Sequence, residues 1–586
     1  MTTQRATAKR RPPPAPVRFV VRSTAQAADL VLGAVMMLLD ASGHRRAGAR
    51  GLMYWWWTRI VTHFNARAPD EVLGERLSAA TTYEQWLAVA TELDMLHGNH
   101  LWKVTQATNL YDHKLIYSRL QSLRAARDSG DVSAMIYLLR SGLLRNLGGL
   151  ADVRLFTHSF TGTKTLIDDY LEEVVLQLNI ICDTEFENLT LHQKWELFSD
   201  TRQSFGNTAL LLQGGATFGM YHLGVVKALS EHGLLPRIIS GSSVGALIAA
   251  LVCVHTDAEL PGIFLPNGID LAAFAHKDAQ RAISRKIARL LKHGYLLDVK
   301  VLEDCVRSNL GDMTFEVCGR DMRLWWAALL TRFVLSAQEA FHRTGKVLNI
   351  TVTSSRKGEV PQLLNYLTAP NVLIRSAACA SVALVGLYRS VDLLAKDRNG
   401  HIFIWSPLSV RWTPGTSNVN IESPETRLAE LFNVNHFIVS QANPYIAPFV
   451  STKNASLSNK LIHMVQQEIR HRLNQVAELG LFPQTIISLF GQKAQGHVTI
   501  APQLSSMDFY TIFSNPTYRS LSYWILKGEQ STWPNLSFIK NRTIVEMTLY
   551  EVTSRLRSTI ERVQRERDNP RSRRHEEAKR RNKSIA

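Results

Sequence analysis

Residues 208–254, TALLLQGGATFGMYHLGVVKALSEHGLLPRIISGSSVGALIAALVCV, decide how the rest of the chain is read. Residues 208–212 form a short apolar run of the kind a strand buried on both faces shows. Gly214, Gly215, Ala216 and Gly219 follow, and then an apolar-periodic helix over 221–229. A second brief strand, 237–240, meets Gly241-Ser242-Ser243-Val244-Gly245 and runs on as an apolar helix that must be buried. In a G-x-S-x-G turn the serine sits on a sharp strand-to-helix corner, where flanking glycines let the two backbones approach without Cβ clashes. Ser243 is therefore the candidate nucleophile, and Ser242 fills the variable position. The small residues Gly214, Gly215 and Ala216 leave backbone N–H groups free at the head of a helix, where the dipole favours an anion. They form the candidate oxyanion hole. Either half alone is a weak signal; both together, each between a strand and a helix, are far more specific.

The 586 residues leave room for two or three domains and a large core. Lys and Arg outnumber Asp and Glu by 67 to 50, a formal net charge of +17, which favours anionic partners. No nucleic-acid motif accompanies that charge, so an acidic lipid surface is the expected partner and nucleic acid is not. Cys182, Cys253, Cys305, Cys318 and Cys379 are odd in number and widely spaced, as reduced thiols of a cytosolic protein are. No metal-ligand spacing is visible, and the basic N-terminus lacks the apolar stretch of a secretory signal.

The pattern GG-A-x-x-G-x-x-H-x-G-V followed by G-x-S-x-G resembles the patatin-like phospholipase family. The segments LLPRIISGSS, LLDVKVLEDCVRSNLGDMTF, LNYLTAPNVLIRSAACAS, LFNVNHFIVSQ and KGEQSTWPNL are similar to its fungal and plant triacylglycerol lipases. The resemblance covers about residues 52–550. It implies an α/β fold, a three-layer patatin-like domain with a mainly parallel sheet over 207–427. A helical N-terminal domain over 28–200 would precede it, serving as scaffold and surface attachment. A segment over 428–550 would complete the sheet and add helices. The implied activity is hydrolysis of triacylglycerol to diacylglycerol and fatty acid through an acyl-Ser243 intermediate, with neither metal nor organic cofactor. Neutral lipids and phospholipids would be the substrates, met at the cytosolic face of lipid droplets or the endoplasmic reticulum. Lysophospholipid acyl transfer shares the same acyl-enzyme and differs only in what attacks it.

Two departures from the family pattern matter. Residues 317–338, VCGRDMRLWWAALLTRFVLSAQ, intervene where the family has only a short link. They read either as a membrane-seeking helix or as retained non-coding sequence. The second concerns the general base, for which the family uses the aspartate of an Asp-Gly pair that follows an Arg-Trp. Here Arg411-Trp412 is followed by Thr413-Pro414-Gly415-Thr416, and no carboxylate stands at that place. A serine without a base loses about 10²- to 10⁴-fold in rate. This opens the alternative of a catalytically impaired relative that keeps lipid-surface binding. Glu422, at the second acidic position of the family pattern, could reach as a substitute base. Ser243 with Asp392 or Asp397 and His436 or His497 would follow the chain order of a hydrolase triad. His436 lies within an apolar strand and His222 within the glycine-loop helix, where a hydrogen-bonded core histidine is the plainer reading.

Residues 1–27 are rich in Arg, Pro and Ala and are expected to form a disordered basic arm. Residues 30–39 are apolar but half the length that spans a bilayer, and Trp55, Trp56 and Trp57 sit among arginines as at a lipid interface. His293 and Asp298 match an acyltransferase spacing that chance alone supplies in this composition. Residues 427–432 read as a helix, 436–441 as a strand, 457–489 as amphipathic helices and 496–500 as an edge strand. A helical segment should begin at Trp533 and end near 556. Residues 551–586 read as a flexible basic tail, suited to anionic lipid at about 1 kcal/mol per basic residue near the surface.

Overall fold

The computed structural model describes residues 69–186, 189–265, 267–271, 299–315, 344–354, 362–383, 391–397, 399–405, 412–414, 424–443, 468, 496–502, 504, 508 and 517–568. The apolar run at 30–39, the tryptophans at 55–57, the pair His293 and Asp298, and the segment 317–338 lie outside them, as do Glu422 and the amphipathic stretch 457–489 apart from residue 468. Residues 77–586 make one compact unit.

The described residues open with helices α1 (Pro69–Ala79), α2 (Tyr83–Leu96), α3 (Asn99–Val104), α4 (His113–Asp128), α5 (Val132–Gly142), α6 (Val153–Thr157), α7 (Thr165–Asp183) and α8 (Leu191–Phe205). Several of their starts are set by side chains that take up N–H groups the helix itself cannot satisfy. Thr82 accepts from Gln85, Asp112 from Lys114 and Leu115, Asp131 from Ala134, and Thr190 forms a capping box with Gln193. Apolar residues recur every three or four positions, as in Ile116, Leu120, Leu123 and Ala126 of α4, which are buried in the shared core.

The α/β part follows as β1 (Asn207–Gln213), α9 (Tyr221–Glu231), β2 (Ile238–Ser242), α10 (Val244–Val254), α11 (Leu260–Ile263), α12 (Val299–Leu310), β3 (Val347–Ser354), β4 (Gln362–Leu364) and α13 (Ile374–Val382). A small hairpin, β5 (Leu394–Lys396) with β6 (Ile402–Ile404), precedes β7 (Trp412–Pro414), α14 (Pro424–Phe432), β8 (Val434–Gln441) and β9 (Val498–Ile500). The main sheet has the order β4-β3-β2-β1-β8-β9, with β7 also on β3. The pairs β1–β2, β1–β8, β2–β3 and β8–β9 are parallel, whereas β4 and β7 run antiparallel to β3. The mainly parallel sheet, the helical N-terminal region and the helical C-terminal extension are as expected. Strand order turns back at β1, so the crevice outside its carboxyl end is where such sheets hold ligands.

The alternation along β1 explains why its run is apolar without a break. Leu210 and Leu212 enter the large core shared with the helices, while Ala209 and Leu211 enter a smaller one with Ile238, Leu428, Val434 and Val439. Both faces are covered, so no polar residue alternates in.

Two C-terminal helices close the unit, α15 (Tyr518–Thr532) and α16 (Leu536–Asp568). Gly224 of α9 and Gly528 of α15 let the two backbones touch. A Cβ on Gly224 would stand 1.9 Å from Ile525 O, and one on Gly528 2.3 Å from Tyr221 O. The reading of 551–586 as a flexible tail is corrected over 551–568, which continue α16. Val552 and Leu556 are buried one turn apart, and Arg555 donates to Asn179 at 2.5 Å and Asp183 at 3.1 Å on α7. The arginine-rich outer face of the helix masks that buried stripe in the sequence.

The amino end of β1 is clamped from both sides. Arg145, just past α5, donates to Thr208 Oγ1 (3.2 Å), Gly206 O (2.7 Å), Arg542 O (2.8 Å) and Glu546 Oε2 (2.8 Å). Glu546 of α16 also accepts the Thr208 N–H at 2.8 Å and its hydroxyl. The Arg145 and Glu546 side chains are 7% and 11% exposed, so each depends on the other for its charge. Glu546→Gln should cost about 3–5 kcal/mol in urea unfolding, because a buried guanidinium is left uncompensated. Gly528→Ala should lower stability by about 1–3 kcal/mol in the same measurement, since the added methyl meets backbone on α9 rather than a movable side chain.

Candidate active site

Ser243 stands between β2 and α10 with φ 57° and ψ −131°, a backbone state that side-chain-bearing residues rarely adopt. What holds it there is the lack of room for anything else. A Cβ on Gly241 would be 2.5 Å from Ala246 Cα, and one on Gly245 would be 2.1 Å from Leu212 O. The turn is secured by Ala246 N–H donating to Ser243 O at 2.9 Å. A second tie comes from α13, where the fully buried Ser381 accepts the Ser243 N–H at 3.0 Å and donates its own hydrogen to Thr351 O at 2.9 Å. Ser243, Gly241, Ser242, Val244 and Gly245 thus form a strained strand-to-helix corner at the carboxyl edge of the sheet.

The glycine loop folds over that corner. Gly214 and Gly215 have φ of 73° and 126°, and a Cβ on Gly214 would fall 1.7 Å from Asn443 Oδ1. Gly219 lies so close to Val244 that its Cβ would be 2.3 Å from Val244 Cγ1. The candidate oxyanion amides are therefore beside Ser243. Two of them are engaged within the protein, Gly214 N–H by Ser242 O at 3.3 Å and Gly215 N–H by Asn443 Oδ1 at 3.2 Å. Ala216 heads a 3₁₀ turn (Ala216–Met220) and Val244 heads α10. The first N–H of a helix has no acceptor within it, so these two amides suit an oxyanion without breaking a helical bond.

The histidines have structural roles. His222 is fully buried with Nδ1 2.7 Å from Ser440 Oγ on β8. Burial pushes its pKa down to about 4, partly offset by the backbone of Gly214 and Gln213. His436 is also fully buried, 3.4 Å from Thr208 Oγ1, and burial together with Arg542, Arg145 and His497 holds its pKa at about 2. Thr208 is five residues before Gln213, the partner of Ser242, which at about 3.3 Å per residue puts His436 roughly 16 Å below the corner. His497 accepts from Phe437 N–H on the neighbouring strand. Asp392 and Asp397 are exposed beside and at the end of the β5–β6 hairpin. The structure does not bring the alternative triad together.

Glu425, in the first turn of α14, is partly buried, and burial pushes its carboxyl above the usual glutamate range, with the Gln213 side chain offsetting part of that rise. Gln213 Oε1 in turn accepts from Gln441 Nε2 at 3.3 Å, and Gln441 Oε1 accepts the Asn443 N–H at 3.3 Å. Pro414 occupies the place of the expected aspartate and pairs with Val352 across β7 and β3.

Comparison with known proteins agrees with this geometry. Residues 210–404 match the model of the patatin-like phospholipases, and residues 63–203 match a domain of unknown function, DUF3336. Triacylglycerol lipase ptl1 of Schizosaccharomyces pombe is 35% identical over 483 residues, covering 81% of this chain and 84% of its own length. The chain belongs to the patatin-like phospholipase family. Triacylglycerol lipase ptl3 of the same yeast is 33% identical over 82% of this chain and 97% of its own length. Triacylglycerol lipase SDP1L of Arabidopsis thaliana is 37% identical over 492 residues, or 81% of this chain. The aligned part spans just 57% of that plant relative.

Sequence reasoning missed Ser381 and Asn443. Their signal was present only as family-like segments, RSAACAS around Ser381 and the Asn443-Pro444 step after β8. Replacing Ser381 by Ala leaves the Ser243 N–H without an acceptor in this patatin-like corner. The expected cost is about 1–3 kcal/mol by thermal or urea unfolding, with Ser381→Thr recovering part of it.

Proposed function

We propose that this patatin-like protein is a serine acyl hydrolase that cleaves triacylglycerol to diacylglycerol and fatty acid at a lipid surface. The observation that carries the reading is Ser243, strained at the β2–α10 corner, with the glycine loop packed through Gly219 against its neighbour Val244. In this mechanism Ser243 Oγ attacks the ester carbonyl, and the oxyanion is met by backbone N–H groups of the glycine loop and the α10 start. Collapse of the tetrahedral intermediate releases the alcohol and leaves an acyl-serine, which water then hydrolyses. The relatives named as triacylglycerol lipases support a neutral-lipid substrate. The net charge of +17 supports docking on an anionic monolayer, at the cytosolic face of lipid droplets or the endoplasmic reticulum.

A second reading, a lipid-binding relative without activity, is favoured by Pro414 and Gly415 at the place of the dyad carboxylate. Fluorophosphonate labelling of the full chain separates the two. Under the proposal the wild-type protein is labelled at Ser243 and releases fatty acid from triolein emulsions, and Ser243→Ala abolishes both. A wild-type protein that takes no label but still binds anionic vesicles would establish the second reading.

A further inference from the structure

The seam where the helical N-terminal region meets α16 holds a cavity lined by Arg145, Asn541 and Arg542 together with Leu150, Val174 and Phe205. Its polar groups are nearly all donors. Asn541 is 6% exposed, and neither its Nδ2 nor its Oδ1 has a hydrogen-bond partner among the described residues. The buried Nε atoms of Arg145 and Arg542 are likewise without an acceptor there. Three donors thus stand beside one acceptor, and pairing the Asn541 oxygen with either guanidinium still leaves two donors over. A buried donor left unpaired costs about 1–3 kcal/mol, and more when it carries charge. The side chains of Leu150, Val174 and Phe205 supply no acceptor.

Charge is unbalanced in the same sense. The acid at this seam, Glu546, is already committed, Oε1 to the Thr208 N–H and Oε2 to the Thr208 hydroxyl and Arg145. Arg542, whose guanidinium lies 5.6 Å from the centre of the Phe538 ring, forms no ion pair among the described residues. Burial lowers its pKa, and the neighbouring Arg145 charge lowers it further. Two guanidiniums therefore share one carboxylate, and a positive charge is left over against apolar walls.

We propose that this seam binds one small inorganic anion of the chloride class, held by Asn541 Nδ2 and the Nε groups of Arg145 and Arg542. The cavity has room for a single water-sized group, which admits a halide and excludes a phosphate or a fatty-acid head. Water would fill the space, but it brings as many donors as acceptors and no charge. A halide accepts from every donor and cancels the surplus cation. The site lies at the opposite end of β1 from the glycine loop, beside the Arg145 bond to Thr208. Its occupant joins α16 to the residue that clamps the strand, so the anion acts on the stability of the unit rather than on the chemistry at Ser243.

The test is thermal unfolding of the full chain at neutral pH and constant ionic strength, with sodium gluconate exchanged stepwise for sodium chloride. Gluconate is too large for the cavity. Expected for the wild type is a saturable rise in melting temperature with chloride, of about 1–3 °C for a unit of this size. Asn541→Asp builds a carboxylate into the site, so it should melt above the wild type in gluconate and lose the chloride response. Arg542→Gln should lose the response too, whereas Lys540→Gln, at an exposed neighbouring position, should keep it. If Asn541→Asp does not fold, Arg542→Gln decides, since that side chain is half-buried and its loss leaves the Arg145–Glu546 pair in place. Equal wild-type melting temperatures in the two salts overturn the assignment. So does a chloride response that Arg542→Gln retains in full, which would be diffuse screening of the net charge of +17.

Discussion

The distance between the Leu212 carbonyl and Gly245 governs this structure. With no side chain between them, β1 and the start of α10 come into direct contact, and the chain between β2 and α10 has to turn within one residue. That residue is Ser243, and its positive φ is the geometric consequence. The turn sets where the glycine loop can rest, because Gly219 fits against the Val244 side chain only while it carries no Cβ of its own. It also sets what α10 must be, a helix with residues such as Ala249, Ala250 and Val252 fully buried, since it descends straight into the core. Strain of this kind, of order 1–3 kcal/mol at one residue, persists because several independent contacts over-determine it.

Those contacts come from widely separated parts of the chain. Ser381 arrives from α13, Asn443 from the end of β8, and α15 presses Gly528 against α9 directly behind the glycine loop. The patatin-like corner is local in sequence, but the forces that keep it are not. The helical N-terminal region belongs to the same core as the sheet, with Trp86, Leu155 and Phe198 in one continuous apolar cluster with Leu210 and Leu212.

How much of this could be read beforehand follows from the same division. The strands at 208–212 and 436–441 and the Ser243 corner were legible because their signal is contained in a few neighbouring residues, an apolar run or a glycine pair. The end of α16 was not, because the stripe of Val552 and Leu556 is diluted by the arginines on its outer face. The engagement of the Gly215 amide was hidden too, since its acceptor lies 228 residues away.

The clamp on the amino end of β1 has a consequence for the order in which the protein can be made. Arg145 and Glu546 are 401 positions apart, and the Thr208 amide waits 338 positions for its acceptor. While the chain is still on the ribosome, β1 and its guanidinium neighbour are already synthesised but the acid that neutralises them is not. At about 5–20 residues per second that interval lasts tens of seconds. During it the first parallel strand cannot be fixed in register by its final contacts, and its apolar faces stay open to misassociation. The final contacts of β1 are thus completed only once residue 546 of α16 has been made.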